Sequence, residues 1–283
     1  MRATLPAALV LGLVLAFPVT SGAAAAPGNP DVAALQVGLT GLGLYGDDVD
    51  GVAGPRTLAG LRRLPGAGSP LAAETRAALG AFGSTRLGDR PLSSGCFGWD
   101  VAELQFLLAW HGFPSGRIDG AFGERTTAAL LRFQRWAGID PIGIAGPQTL
   151  AALRQPPPVS PVRLLRPIDA APADGFGPRG DRFHAGVDYP APPGTPVVAA
   201  RDGTVIAAGA FIGFGNLVVL QHASGVTTLY AHLSKILVEK GRRVAAGATV
   251  GLVGATGEAT GPHLHFEVRV RDAAVDPATA IYQ

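Results

Sequence analysis

Cysteine occurs once in these 283 residues, at Cys96, so no disulfide can form within the chain. Charge is scarce as well. Asp, Glu, Lys and Arg make up only 16% of the residues and sum to +2, too small a surplus for an electrostatic nucleic-acid footprint. Long apolar runs are missing beyond the first two dozen residues, which excludes a later bilayer span. The early run, Leu5 to Val19, is short for a span and is interrupted by Pro6 and Pro18. Preceded by Arg2 and followed by Ala24-Ala25-Ala26, it reads as a secretory signal over residues 1–26, cleaved after Ala26.

What the chain has in quantity is glycine (40), proline (24) and a 47% hydrophobic fraction. These predict a packed globular protein with many turns and at least one stiff connector. Its length suits two or three domains.

Residues 35–61 align without gaps on 104–130, with eleven identities in 27 positions, which establishes an internal repeat. Leu35-Gln36, Asp50-Gly51, Gly54 and Arg56-Thr57 recur as Leu104-Gln105, Asp119-Gly120, Gly123 and Arg125-Thr126. In the second copy, Asp100 and Glu103 predict a capping pair opening a helix with Val101, Leu104, Leu107 and Leu108 on one face. Gly112 ends it, Asp119-Gly120 turns the chain, and Arg125 to Trp136 is a second helix. Gly146-Pro147-Gln148-Thr149-Leu150 echoes Gly54-Pro55-Arg56-Thr57-Leu58, with proline at a first helical position. Each copy is expected to be a small three-helix unit, over 31–81 and 97–154. Three prolines in a row, Pro156 to Pro158, with Pro161 nearby, then predict an extended spacer over 155–162.

From residue 163 to 283 the texture changes to short valine- and leucine-rich runs separated by turns such as Asp202-Gly203 and Ser224-Gly225. The pattern predicts a mainly antiparallel β domain. The expected fold is therefore multidomain: two small all-α modules followed by a β domain.

Four of the six histidines fall in that last domain in three clusters, His184-Ala-Gly-Val-Asp188, Tyr230-Ala-His232 and His263-Leu-His265. Two histidines and a carboxylate are a donor set that a catalytic zinc ion takes from protein, leaving a position open. On an extended strand His263, His265, Glu267 and Arg269 face one way, with the two histidine Cα atoms about 7 Å apart. Thr228, Tyr230 and His232 are expected to alternate likewise with Leu229, Ala231 and Leu233. His184 and Asp188 would lie about 13 Å apart on a straight strand, too far for one ion, so a bend near Gly186 is required. His111 and His222 read as structural. Glu267 could orient His265 or be a solvated strand carboxylate, and Tyr230 could meet a substrate or pack.

Two resemblances follow from these motifs. Leu104-Gln105, Ile118-Asp119-Gly120-Ala121-Phe122-Gly123, Thr126, Phe133-Gln134 and Gly143 to Thr149 resemble the peptidoglycan-binding module found on many cell-wall hydrolases. The first copy departs from it: Leu64-Pro65 stands in place of Phe133-Gln134, and Ser69 to Leu79 keeps a weak trace of the last helix. From Gly175 to Ile281 the chain is similar to the lysostaphin/LytM-type zinc endopeptidases, which cut peptide bonds in bacterial peptidoglycan. Phe183 to Asp188, Gly203-Thr204-Val205, Thr228 to Leu233 and Thr256-Gly257 through Pro262 to Val268 carry that likeness.

The second resemblance implies one Zn2+ held by His184, Asp188 and His265, with His232 and His263 flanking its open position as catalytic residues. With the signal segment and the first resemblance, it implies a secreted enzyme whose substrate and binding target are both peptidoglycan; the small net charge gives no ground for a nucleic-acid partner. The rival expectation is a non-catalytic wall-binding or activator protein on the same fold, in which metal ligands would be missing.

Overall fold

The computed structural model describes residues 28–282. The expected signal segment lies outside them. Among the described residues, no helix is long and apolar enough to cross a membrane.

The helical half contains α1 (Pro30–Gly41), α2 (Pro55–Arg62), α3 (Ala73–Ala78), α4 (Trp99–Trp110), α5 (Glu124–Trp136) and α6 (Pro147–Leu153). Asn29 caps α1 through its side-chain oxygen, which accepts from the Asp31 and Val32 N–H groups, and Pro30 fills a position that needs no donor. The expected cap at Asp100 does not form. Gly98 opens α4 instead, and the fully buried Asp100 pairs with Arg90 at 2.8 Å. Glu103 accepts from the Leu87 N–H rather than reaching back along the helix.

The repeat is visible as one polar device used in both copies. The Gln36 amide donates to Asp50 Oδ1, Val52 O and Thr57 Oγ1, and its oxygen accepts from the Gly51 N–H. Gln105 does the same with Asp119, Ala121, Thr126 and Gly120. A buried primary amide thus satisfies each Asp-Gly turn, whose glycines need φ of +72° and +73°. Gln134 repeats the device with Gly143, Ile144 and Thr149. In the first copy Pro65 stands where Gln134 would be and offers no amide. There the Thr75 hydroxyl takes over, accepting from the Gly68 N–H and donating to Ser69 O, and α3 has only six residues.

The copies are not independent units. Ala33, Leu35 and Val37 of α1 share one core with Trp99, Ala102 and Phe106 of α4. Nor does the 155–162 segment hold the halves apart. Trp110 packs on Phe183 of the β domain, Ala273 enters the core of the second copy, and the Trp136 indole donates to Val270 O. The proline segment runs along the helices, where Gln155 O meets His111 Nε2.

The β domain begins with a separate two-stranded hairpin, β1 (Gly177–Arg179) and β2 (Arg182–His184). A nine-stranded antiparallel sheet follows: β3 (Val187–Pro190), β4 (Pro196–Val198), β5 (Gly203–Phe211), β6 (Gly215–Gln221), β7 (Val226–Ile236), β8 (Arg243–Val244), β9 (Thr249–Val253), β10 (His263–Val270) and β11 (Ala273–Val275). β10 lies between β7 on one side and β3 and β11 on the other, and so sits where the site forms. Tyr230, Leu233, Leu264, Phe266 and Val268 pack in the core beneath it.

Candidate metal centre

His184 ends β2, Asp188 lies on β3 and His265 on β10, in register opposite Asp188. The bend expected at Gly186 is present and has a steric cause. A Cβ there would lie 2.5 Å from Phe266 O and 2.9 Å from the His265 ring, so only glycine lets the 184–188 segment fold against β10. The turn brings His184 Nε2 to 3.2 Å from Asp188 Oδ1. His265 Nδ1 lies 2.8 Å from the same oxygen and 3.0 Å from His184 Nε2.

The outward bonds of both rings decide which lone pairs face inward. His184 Nδ1–H donates to Gly175 O at 2.7 Å, and His265 Nε2–H donates to Glu267 Oε1 at 3.1 Å. With both rings neutral, two imidazole lone pairs and a carboxylate oxygen converge; a proton on either inner nitrogen is instead held by Asp188. Nitrogen and oxygen ligands at zinc bond lengths in tetrahedral array stand about 3.3 Å from one another. The donor set fits a zinc ion.

Glu267 is 2% exposed and takes the orienting role left open by the sequence. Its second oxygen accepts from Arg269 Nε at 2.7 Å. Burial works against its ionisation, yet Arg269 and His265 outweigh that and hold the carboxyl down at about 2. For His265, burial disfavours the charged ring, but hydrogen bonds to Asp188 and Glu267 prevail and push it up to about 9. For Asp188, bonds from His184 and His265 overcome burial and hold it well below the usual carboxylate range. The centre is built to hold positive charge.

His232 and His263 stand beside this triad. Their ring centroids are 4.7 Å apart, and His232 is 5.8 Å from the His265 ring. His263 Nδ1–H donates to Gly261 O, leaving Nε2 at 3.8 Å from Asp188 Oδ1. His232 Nδ1–H donates to Thr256 O. Burial pushes the His232 imidazole down from its ordinary value, and the Thr256 bond opposes this.

The expected alternation on β7 needs correction at this point. His265 pairs with Ala231 and Glu267 with Leu229, so Leu229 and Ala231 share the site face while Thr228 and Tyr230 point into the core. Tyr230 is fully buried and its hydroxyl accepts from the Ala200 N–H, which makes it a packing residue. His232 reaches the site because the β6–β7 ladder shifts register there and its own φ is +60°.

The cleft has a volume of about 290 Å³ and is lined by all five residues, with Arg179, Phe214, Glu258 and Thr260. A larger cavity, about 670 Å³, lies among Asp31, Glu103, Trp110 and Pro156 in the helical half. It shares no lining residue with the histidine cleft, whose His184, Asp188 and His265 are the sole group of three metal-ligating side chains found among the described residues. Sequence reasoning missed Arg179, whose guanidinium lies 2.9 Å from Asp188 Oδ2. Nothing in its neighbourhood marks it apart from the glycine-rich turn. His111 and His222 are spent on backbone and Thr228 contacts, as structural residues.

Residues 182–277 match the model of Peptidase family M23, and residues 98–153 match that of a peptidoglycan binding domain. The chain carries an M23 peptidase domain. A helical peptidoglycan-binding region precedes it, and the match there falls on the second copy of the repeat. DD-carboxypeptidase/endopeptidase Mpg of Neisseria meningitidis is 49% identical over 98 residues, covering 35% of this chain and 23% of that protein. Peptidoglycan DD-endopeptidase ShyA of Vibrio cholerae is 47% identical over 97 residues, covering 34% and 23%. The chain thus spans about a quarter of the length of these relatives. The catalytic domain of lysostaphin from Staphylococcus simulans is 37% identical, with 38% of this chain and 90% of that one covered and a TM-score of 0.37.

Proposed function

We propose that this chain is a secreted, zinc-dependent endopeptidase that hydrolyses peptide bonds in bacterial peptidoglycan. The observation that carries this reading is the convergence of His184 Nε2, Asp188 Oδ1 and His265 Nδ1, with two further imidazoles in the same cleft. The names of the M23 relatives support the substrate class.

His184, Asp188 and His265 hold the metal. Zinc supplies a Lewis acid that polarises a scissile carbonyl and makes water acidic enough to attack near neutral pH. One of His232 and His263 accepts the proton of the attacking water. The other donates to the developing oxyanion or to the leaving amine. Both rings have Nδ1 committed to a backbone carbonyl, so each presents Nε2 to the cleft. Arg179, on Asp188 Oδ2, keeps Oδ1 directed at the histidines.

Residues 97–154 bind the wall, and 31–81 form a degenerate companion lacking the second glutamine plug. Attachment raises the enzyme's local concentration on an insoluble polymer. Residues 1–26 serve as the export signal, and the enzyme acts in the cell wall or on the periplasmic side. A non-catalytic binder would be expected to have lost part of the donor set, and all five residues are here.

Mass spectrometry of soluble products from purified peptidoglycan tests the reading. New peptide amine and carboxyl ends that vanish with a zinc chelator are expected. Intact peptides from several wall types would overturn it.

A further inference from the structure

The β1–β2 hairpin carries His184 and Arg179, yet it is not joined to the nine-stranded sheet. Two strands of three residues are too little to hold their own shape. Support comes from the helical half, at the Gly180–Asp181 turn. The Val49 N–H donates to Gly180 O at 2.8 Å, and the Ile118 N–H donates to Asp181 O at 2.6 Å. These donors occupy equivalent positions in the two copies of the repeat. The preceding pair, Asp48 and Arg117, is equivalent too. Asp48 Oδ1 accepts from the Gly180 N–H at 2.5 Å, and Arg117 pairs with the Asp181 carboxylate at 2.5 Å. Behind the turn, Phe183 packs edge-on against Trp110 at 5.3 Å.

Arg179 stands next to that turn. It bridges Asp174 at 2.5 Å and Asp188 Oδ2 at 2.9 Å. Occupying Oδ2 leaves Oδ1 to face both histidines, so where the turn is held determines how Asp188 presents its oxygen.

We propose that the tandem helical modules brace the metal centre: matching loops of the two copies grip the Gly180–Asp181 turn and thereby hold Arg179 on Asp188. The inference rests on the zinc reading above. It gives the first copy a role that does not need wall binding, and makes Arg179, Asp48 and Arg117 positioning residues.

Zinc dissociation constants of the full chain, measured by competition with a chromophoric chelator, test this. Arg179→Gln and the double variant Asp48→Ala with Arg117→Ala are each expected to weaken binding about tenfold, the range for partners that orient a ligand. If the brace acts through Arg179, combining all three substitutions also costs about tenfold, because the effects share one route. Arg117→Asp should loosen zinc, and adding Asp181→Arg should restore it, which separates a lost grip from a lost fold. Unchanged affinity in the double variant, or a combined loss of about a hundredfold, overturns the brace. Tight zinc binding in every variant removes the brace alone, whereas a wild-type chain that binds no zinc removes the metal reading with it.

Discussion

The rings of His232 and His263 lie 4.7 Å apart although regular alternation along β7 would point His232 into the core beside Tyr230. A register shift and a φ of +60° at His232 turn it outward. A non-glycine residue in the left-handed region costs of order 1–3 kcal/mol, and such strain persists where the surroundings enforce it. Here the His232 N–H donates to Phe214 O and its ring bonds Thr256 O.

His232→Ala and His263→Ala should each lower the rate of peptidoglycan solubilisation by about 10²–10⁴, the usual contribution of a positioned acid or base. Each should retain its zinc, since neither ring belongs to the converging donor set. Turnover and metal content measured on the same preparations check this, and loss of zinc from either variant would contradict the assignment.

Gly186→Ala should damage the site without touching a ligand. The added methyl would meet Phe266 O at 2.5 Å and the Glu267 side chain at 2.9 Å, so the 184–188 segment must lift away from β10. Overpacking of this kind costs about 1–3 kcal/mol. A lower thermal midpoint and weaker zinc binding are expected together, and a variant with wild-type zinc affinity would refute the steric account.

Stability should depend on pH through Glu103, which lines a cavity other than the cleft. Burial, reinforced by the neighbouring Asp31 carboxyl, raises its pKa to about 8 in the folded chain, against 4.5 for the free group. The folded state therefore holds a proton that the unfolded chain releases first. Its contribution is complete below about pH 4.5 and is lost as pH rises towards 8, at about 1.4 kcal/mol per unit inside that window. Glu103→Gln removes the titration and keeps an acceptor for the Leu87 N–H. Thermal melts at pH 5 and pH 8.5 should show the variant gaining several degrees on the wild type only at the higher pH. Equal pH dependence in both proteins would contradict this.

Much of the site was legible in the sequence because its chemistry is local. His263 and His265 share a strand face, and the need to bring His184 to Asp188 pointed to a bend at Gly186, where the chain does turn. The face of His232 was not legible, since alternation assumes an unbroken ladder and one extra residue reverses it. Arg179 escaped notice because it lies on a hairpin whose turn is held by residues 64 and 132 positions away in sequence. The shared α1–α4 core was hidden for a similar reason: a repeat predicts two similar units and does not say that Leu35 and Phe106 will pack together.

The most direct measurement is zinc titration of the metal-stripped full chain, followed by release of soluble peptides from peptidoglycan. Activity should be absent in the stripped protein and return fully at one zinc per chain. His265→Ala, lacking one of the three donors, should stay inactive at the same metal concentration. Undiminished peptide release by the stripped chain, or by His265→Ala, would contradict a single zinc centre built from His184, Asp188 and His265.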